Sequence, residues 1–246
     1  MSVSHIQDHF SELKQGLRFV MKTSMALAFF IVGLASCSDE SYLEPIDMGY
    51  GYYPLSEGNY IVYQVDSIYY DDFANTSDTL QYQLLELIGA PFIDMQGDTA
   101  YPIERYQRAL SSLPWLYTET WTVSKNKRTI QRVEDNIRYI KMVFPIKKSN
   151  RWNGNAYNQL EELSYQFDKI NEPASFSGVQ FDNTITVVQN NLITLISQDI
   201  QHEVYAKNIG LVSKTYIALE MDVDGTIRSG LNYSYTYLES GSGMFP

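Results

Sequence analysis

The single cysteine of this chain, Cys37, ends an apolar segment and is followed closely by two carboxylates, Asp39 and Glu40. A lone thiol can serve as a nucleophile, a metal ligand or a site of lipid attachment. The segment "MALAFFIVGLASCSDE" begins shortly after Lys22 and has small residues directly before the cysteine. This order is typical of a secretory signal peptide, and the apolar run is too short to span a bilayer. We therefore predict a signal peptide over residues 1–36.

The motif Leu-Ala-Ser-Cys at residues 34–37 resembles the lipobox of bacterial lipoproteins. The resemblance implies that acyl chains, palmitate among them, are attached to Cys37 and that this residue becomes the mature N-terminus. Stable anchoring needs more than one acyl chain, and a multiply acylated cysteine provides this. The alternative is a buried cysteine that follows a membrane-anchoring helix. Because Met21 begins a complete signal of its own, residues 1–20 are either an extension or a mis-assigned start.

The Cys-Ser-Asp-Glu start of the expected mature chain resembles the export signal of Bacteroidota-type lipoproteins. The resemblance implies that Ser38, Asp39 and Glu40 send the protein to the outer membrane and to the cell surface. An ordinary tether is the alternative, because disordered linkers are often acidic. After the signal peptide we expect a lipidated tether over residues 37–49 and a single β domain over residues 50–246.

The charge balance argues against one class of partner. The chain of 246 residues has a formal net charge of −11, and its first 36 residues carry three basic and two acidic side chains. Cleavage before Cys37 would leave 210 residues with a net charge of −12, which argues against binding to nucleic acid. A lipidated Cys37 cannot form a disulfide, so we expect the core alone to stabilise the domain.

The residue types that most enzymatic mechanisms require are scarce after Cys37. His202 is the only histidine there, and no glycine-rich phosphate-binding loop is present. We therefore expect no cofactor, no metal and no enzymatic activity. A hydrolase that works with carboxylates alone is a weaker alternative, with Glu119, Glu161 and Glu162 as its candidates.

Alternation of apolar and polar residues predicts antiparallel strands. In "WLYTETWTVS" the aromatic residues Trp115, Tyr117 and Trp121 share one face, which we expect to be buried. We predict strands at 59–70, 79–89, 99–109, 115–124, 128–134, 137–144, 162–170, 181–189, 211–222 and 227–238. Residues 155–163 and 190–205 stay ambiguous between helix and strand. The motif "DVDGT" after the ninth strand indicates an Asp-Gly hairpin turn more strongly than a calcium loop.

Short turns between successive strands favour one architecture. We predict an all-β fold, a single antiparallel meander that curls into a barrel or half-barrel with at most minor helix. Gly58 and Gly210 precede predicted strands and suit turns, because glycine adopts backbone angles that other residues avoid.

Two further stretches resemble the opening and closing motifs of many Bacteroidota-type outer-membrane and surface lipoproteins. The opening motif, Pro-Leu-x-x-Gly-x-x-aromatic-x-x-Tyr, is matched in "YYPLSEGNYIVYQVDSI" at 52–68. The closing motif is matched in "VYAKNIGLVSK" at 204–214. The matching residues are Pro54, Leu55, Gly58, Asn59, Tyr60, Tyr63, Tyr205, Ala206, Gly210, Leu211 and Val212. The resemblance implies a compact β-rich envelope domain and carries no catalytic signature.

The middle of the chain is basic although the whole is acidic. Residues 125–151 contain nine basic side chains against only Glu134 and Asp135. We predict a candidate patch for an anionic glycan or lipopolysaccharide, formed by Lys125, Lys127, Arg128, Lys147 and Lys148. Lysines that protect a sheet edge against aggregation are the alternative.

Three Asp-(Ser/Thr)-aliphatic triplets resemble short O-glycosylation sites of Bacteroidota-type exported proteins, and they make Ser67, Thr79 and Thr99 candidate acceptors. Ordinary strand-edge chemistry explains the same triplets. For the whole protein we expect a membrane-anchored, non-enzymatic module that binds or interacts at the cell surface. A carrier that holds a lipophilic ligand against a curved sheet is the main alternative, and an apolar cavity of several hundred Å³ would favour it.

Overall fold

The computed structural model describes residues 46–243. The predictions for the signal peptide and for Cys37, Ser38, Asp39 and Glu40 concern residues outside this range. Within it the chain forms thirteen β-strands and one short 3-10 helix, Tyr50–Tyr52. The strands are β1 (Asn59–Asp71), β2 (Thr76–Ile88), β3 (Phe92–Ile93), β4 (Thr99–Arg108), β5 (Leu116–Lys125), β6 (Thr129–Glu134), β7 (Ile137–Val143), β8 (Arg151–Asn153), β9 (Ser164–Phe176), β10 (Val179–Ile193), β11 (Ser197–Ala206), β12 (Gly210–Met221) and β13 (Ile227–Ser242).

The strands form one antiparallel sheet in which the first strand pairs with the last. From β1 the sheet continues through β2, β4, β5, β6 and β7 on one side and through β13, β12, β11, β10, β9 and β8 on the other. The two edges meet where the Ile140 amide donates a hydrogen bond to the Gly154 carbonyl over 2.9 Å. Trp152 Nε1 adds a second bond, 2.8 Å, to the Ile140 carbonyl. The sheet is therefore a nearly closed barrel, and the predicted all-β meander is confirmed.

The interior of the barrel is filled mainly by aromatic and aliphatic side chains. Tyr63, Leu84, Phe167 and Tyr205 are among the buried members of the main hydrophobic cluster. Inward-facing residues of neighbouring strands lie opposite each other in the sheet. Tyr63 on β1, for example, is paired with Leu84 on β2. Each fully buried side chain of this size contributes about 1.5–3 kcal/mol through the hydrophobic effect.

The residues before β1 fold across one end of the barrel, which we call the entry end. Tyr50 packs edge-on against Phe144, with 4.6 Å between ring centroids. Lys125 Nζ donates hydrogen bonds to the carbonyls of Tyr50 and Tyr53 over 2.9 and 3.0 Å. These contacts hold residues 50–55 across most of the entry end, and we call these residues the closing segment.

The last residues of the expected tether also contact the barrel. Asp47 forms an ion pair with Lys207 over 2.9 Å, and its carboxylate accepts a hydrogen bond from the Gly49 amide. The Met48 carbonyl accepts a hydrogen bond from the Ile146 amide over 3.2 Å. The chain is therefore in contact with the barrel from Asp47 onward.

All ten predicted strands are present in the structure, whereas β3, β8 and β11 have no predicted counterpart. The ambiguous segment 190–205 is strand at both ends, in β10 and β11, whereas 155–163 forms turns. β3 and β8 have two and three residues, too few for an alternating pattern to show. Gly58 and Gly210 both have positive φ values, 82° and 111°; Gly58 lies in the turn before β1, whereas Gly210 is the first residue of β12.

The prediction that Tyr117 shares a buried face with Trp121 is wrong. Trp121 is 9% exposed, whereas Tyr117 is 59% exposed. The pairing of β5 with β4 shifts between Arg105 and Tyr106, so Thr118 is an extra residue without a partner opposite it. Such a bulge reverses the alternation, and Tyr117 therefore packs outside the barrel against Tyr106. Trp115, beyond the bulge, is half-buried.

Candidate functional site

Eight charged side chains point into the barrel and form a network of ion pairs, which we call the interior ion network. Its four cations and four anions come from strands all round the sheet. They are Arg105, Arg132, Lys141, Lys214, Glu86, Glu119, Glu134 and Glu203. Charged side chains are rarely buried, and those that are buried are usually paired. Eight paired charges inside one barrel are therefore unusual.

One half of the network is built around two arginines. The guanidinium of Arg105 lies 3.2 Å from Glu86, contacts Glu119 and donates a hydrogen bond to the Tyr235 hydroxyl over 3.0 Å. Arg132 reaches the same Glu86 oxygen over 2.5 Å. Register explains part of this geometry, because Arg105 is paired directly with both Glu86 and Glu119 on the neighbouring strands.

The Trp121 ring packs against both arginines of this half. The guanidinium carbon of Arg105 lies 3.6 Å from the Trp121 ring centroid, and that of Arg132 lies 4.8 Å away. The indole Nε1 donates a hydrogen bond to Glu119 over 2.9 Å. Arginine stacks well on aromatic rings because its planar guanidinium is weakly hydrated. Trp121 therefore contributes both apolar contact and orientation to the two arginines.

The other half of the network spans the barrel interior. Lys141 on β7 lies 2.5 Å from Glu203 on β11 and 3.4 Å from Glu134. Lys214 lies 4.0 Å from each of these two carboxylates. The hydroxyl of Tyr205 donates a hydrogen bond to Glu203 over 2.6 Å.

The electrostatics of this half keep both carboxylates ionised. Burial by itself would raise the pKa of Glu203, but Lys141 and Lys214 outweigh burial and hold that pKa below its ordinary value. The same two lysines, with Arg132, lower the pKa of Glu134 against the effect of burial. Burial would lower the pKa of Lys141, yet Glu134 and Glu203 raise it above its ordinary value. Carboxylates in this state are poor proton donors, so the network has the character of a fixed charge array and not of an acid–base pair.

A cavity of about 330 Å³ enters the barrel beside the closing segment at the entry end. Its walls are mostly apolar and include Ile61, Ile88 and Leu211. Its inner end reaches two members of the interior ion network, Glu86 and Arg132. We call it the entry-end pocket. A volume of this size is at the lower end of the range for small-molecule sites.

One hydrogen-bond donor at the inner end lacks an acceptor. Arg132 is 5% exposed, and within residues 46–243 its Nε has no hydrogen bond, although a Glu134 oxygen lies 3.4 Å away outside bonding geometry. A buried donor without a partner costs free energy, about 1–3 kcal/mol. An oxygen acceptor placed beside Arg132 by a ligand would offset this cost.

Within the described residues, the structure does not bring together the carboxylate or metal sites that the sequence suggested. Glu119 is bound to Arg105 and Trp121, while Glu161 and Glu162 are exposed in the loop before β9. No group of three or more His, Cys, Asp or Glu side chains between residues 46 and 243 could hold a metal ion. The "DVDGT" motif forms the β12–β13 hairpin turn, in which the Asp222 amide bonds to the Thr226 carbonyl over 2.8 Å. Over the same range no helix is long and apolar enough to cross a membrane.

The predicted basic patch is only partly brought together. Lys125 points inward and holds the closing segment. Lys127, Arg128, Lys147 and Lys148 are exposed at the entry end, where the Phe144 amide bonds to the Arg128 carbonyl and joins the two loops that carry them. Of the remaining cations in the basic segment, Arg132 and Lys141 belong to the interior ion network.

The three candidate glycosylation residues differ in exposure. Thr79 and Thr99 are exposed, whereas Ser67 is half-buried. Tyr233 lies opposite Ser67 across the β1–β13 pair and packs against the main hydrophobic cluster. Access by a modifying enzyme is therefore best at Thr79 and Thr99.

Sequence reasoning missed the interior ion network. Its signal was present in β6, where Ile130, Arg132 and Glu134 alternate with residues of the opposite face. Because Ile130 is fully buried, the same alternation places Arg132 and Glu134 inside. Charged residues normally indicate the solvent-facing side of a strand. This expectation argues against placing Arg132 and Glu134 inside the barrel.

Comparison with protein-family models and with curated proteins gives no match. Among solved structures, the chain is similar to a Parabacteroides distasonis protein provisionally described as a lipoprotein. The identity is 9% and the TM-score 0.34, over 77% of this chain and 98% of that chain. It is also similar to a Vibrio parahaemolyticus domain provisionally described as an outer membrane lipoprotein-sorting protein, with 13% identity and a TM-score of 0.20 over 75% of this chain and 85% of that chain. Both TM-scores are low, so these likenesses establish no shared function.

Proposed function

We propose that this protein is an envelope lipoprotein whose barrel binds a small amphiphilic molecule in the entry-end pocket. The observation that supports this proposal most directly is the pocket itself, a cavity of about 330 Å³ with apolar walls that ends at a buried ion pair. An acyl chain would lie along Ile61, Ile88 and Leu211. A head group with an oxygen acceptor would meet Arg132.

The polarity of the pocket supports an amphiphile over a purely apolar ligand. Arg132 is buried and has a donor without a hydrogen bond, so a carboxylate or ester oxygen would gain a charge-assisted bond in a region of low dielectric. Because the unpaired donor is Nε, a ligand oxygen could bind it while another nitrogen of Arg132 keeps its ion pair with Glu86. We therefore expect a fatty carboxylate to bind more tightly than its methyl ester.

The location follows from the N-terminal sequence. In this proposal Cys37 carries the acyl chains, and Ser38, Asp39 and Glu40 direct the protein to the outer membrane and its cell surface. Asp47 binds Lys207, the neighbour of the pocket residue Asn208, so in this proposal the tether would hold the entry end near the membrane. A membrane-derived amphiphile would then have a short path into the barrel.

The test uses the mature lipoprotein in nanodiscs and a dansyl-labelled undecanoic acid, measured as fluorescence above that of empty nanodiscs. Ile88→Trp fills the pocket, and we expect it to weaken binding at least about tenfold, or about 1.4 kcal/mol. Leu80→Trp is the matched control, because it adds the same side chain to the same strand at an exposed position, and it should bind as the wild type does.

Two results would overturn the proposal. One is binding of the probe that is equal in the wild type and in Ile88→Trp. The other is equal binding of the carboxylate and of its methyl ester, which would remove the role of Arg132.

The exposed cations favour a second, compatible role. Lys127, Arg128, Lys147 and Lys148 lie at the entry end and would meet the phosphates of lipopolysaccharide or an acidic glycan. We expect Lys127→Glu combined with Arg128→Glu to reduce binding to purified lipopolysaccharide at low salt. Unchanged binding in this double variant would assign the cations to solubility alone.

A further inference from the structure

The end of the barrel opposite the entry end carries exposed apolar side chains on neighbouring hairpins. We call it the hairpin end and define it by the turns β1–β2, β10–β11 and β12–β13, residues 72–75, 194–196 and 222–226. The six strands of these hairpins are consecutive in the sheet, so the three turns lie side by side. At about 4.8 Å per strand they span about 24 Å.

Large apolar residues project from all three turns. Each is more than half exposed: Phe73, Leu192, Ile193, Leu195, Ile196 and Val223. Single exposed apolar residues are common on protein surfaces, but four within the segment 192–196 and one on each neighbouring turn are not. Folding does not require large apolar residues at hairpin tips, because polar residues form such turns equally well.

Six carboxylates lie on the same three hairpins. They are Asp71, Asp72, Asp199, Glu220, Asp222 and Asp224. The only cation in these three hairpin ends is Arg228, which is paired with both Asp72 and Asp222. The hairpin end therefore combines an apolar centre with a net negative rim.

The apolar centre and the negative rim together limit which kind of partner surface could bind the hairpin end. A second copy of the same end would bring two acidic rims together, which costs free energy through like-charge repulsion. An anionic lipid surface is disfavoured for the same reason, and the chain enters the barrel at the opposite end, beside Asp47. A partner with apolar side chains and a rim of lysine or arginine matches both features.

We propose that the hairpin end is a docking surface for a cationic amphipathic segment of a partner protein. The apolar tips supply the buried contact, and the carboxylates supply long-range attraction and orientation. The docking surface and the entry-end pocket lie at opposite ends of the barrel, so a lipoprotein held at one end can present the other end to a partner.

The test uses the mature lipoprotein in nanodiscs and a fluorescein-labelled amphipathic helix of leucine and lysine, followed by fluorescence anisotropy. Wild type should bind this peptide and should not bind the leucine–glutamate version. Leu195→Ser with Ile196→Ser should weaken binding at least tenfold. Glu220→Gln with Asp224→Asn keeps the apolar tips intact, and it should weaken binding and reduce its dependence on salt.

A matched control removes equal apolar surface elsewhere. Ile93→Ser with Met95→Ser changes two exposed residues on and beside β3, away from the hairpin end, and should bind as the wild type does. The proposal is overturned if the peptide binds all variants equally or does not bind at all. It is also overturned if the Leu195 and Ile196 variant instead abolishes self-association in sedimentation or clustering of phosphatidylglycerol vesicles.

Discussion

Replacing Lys141 by methionine tests the interior ion network most sharply. Lys141 is 4% exposed and joins β7 to β11 through Glu203 over 2.5 Å, with Glu134 at 3.4 Å. Methionine has a similar length and no charge, so the change removes the cation with little loss of packing. Glu203 would then rely on Lys214, 4.0 Å away, and Glu134 would rely on Lys214 at 4.0 Å and on Arg132 at 3.4 Å.

The expected cost is large because the charges left behind are buried. Removing one partner of a buried ion pair costs about 3–5 kcal/mol. For a domain of 150–250 residues this lowers the melting temperature by about 6–20 °C, at about 2–4 °C per kcal/mol. Lys148→Met is the matched control, because Lys148 is exposed and lies 3.6 Å from Asp168 at the surface. Surface pairs contribute about 0–1 kcal/mol, so this control should melt close to the wild type.

A second variant separates charge from packing. Glu203→Gln in the Lys141→Met background removes the unpaired anion, so the double variant should be more stable than Lys141→Met alone. Urea unfolding, followed by tryptophan fluorescence, measures the free energies of five proteins: the wild type, Lys141→Met, Glu203→Gln, the double variant and Lys148→Met. The reasoning is refuted if Lys141→Met is no more destabilising than Lys148→Met, or if the two losses at Lys141 and Glu203 simply add.

Three further predictions concern stability and anchoring. Trp121→Ala should cost about 3–5 kcal/mol in a thermal melt, because it removes a buried ring under two arginines, whereas Tyr117→Ala should change the melting temperature little. The lowered pKa values of Glu134 and Glu203 mean that their stabilisation is complete above their ordinary pKa of 4.5 and is lost as the pH falls through the folded values. Unfolding free energies measured between pH 6 and pH 2 (about one measurement per half unit) should therefore fall steeply below about pH 4.5, and less steeply in Glu203→Gln. Cys37→Ser should release the protein from the membrane fraction or leave it uncleaved, and unchanged detergent partitioning would contradict lipid attachment.

Much of the barrel could be predicted because the strands alternate. The pattern predicts ten of the thirteen strands, although β9 ends six residues after its predicted end, since aromatic and β-branched residues at every second position leave one face to bury. The bulge at Thr118 could not be predicted, because an extra residue leaves no mark in a strand of alternating polarity. Tyr117 was therefore assigned to the wrong face.

The candidate site was less accessible to sequence reasoning. Arg132 and Lys141 lie in the basic segment 125–151, and nothing in its composition separates them from the exposed cations. Lys141 is an extra residue at a register shift between β6 and β7, which alternation does not predict. The entry-end pocket depends on how residues 50–55 fold back over the barrel, which is a long-range packing result. Lys125 illustrates the same difficulty, because its partners are two backbone carbonyls more than seventy residues earlier in the chain.

Native mass spectrometry of the protein extracted from the cells that produce it tests the central proposal most directly. The wild type should show the mass of a chain that begins at an acylated Cys37, together with a non-covalent adduct of the mass of a small amphiphile. Ile88→Trp should show the same acylated chain without the adduct, while Leu80→Trp should keep it. An adduct that Ile88→Trp retains, or a wild-type chain that carries none, would contradict the account.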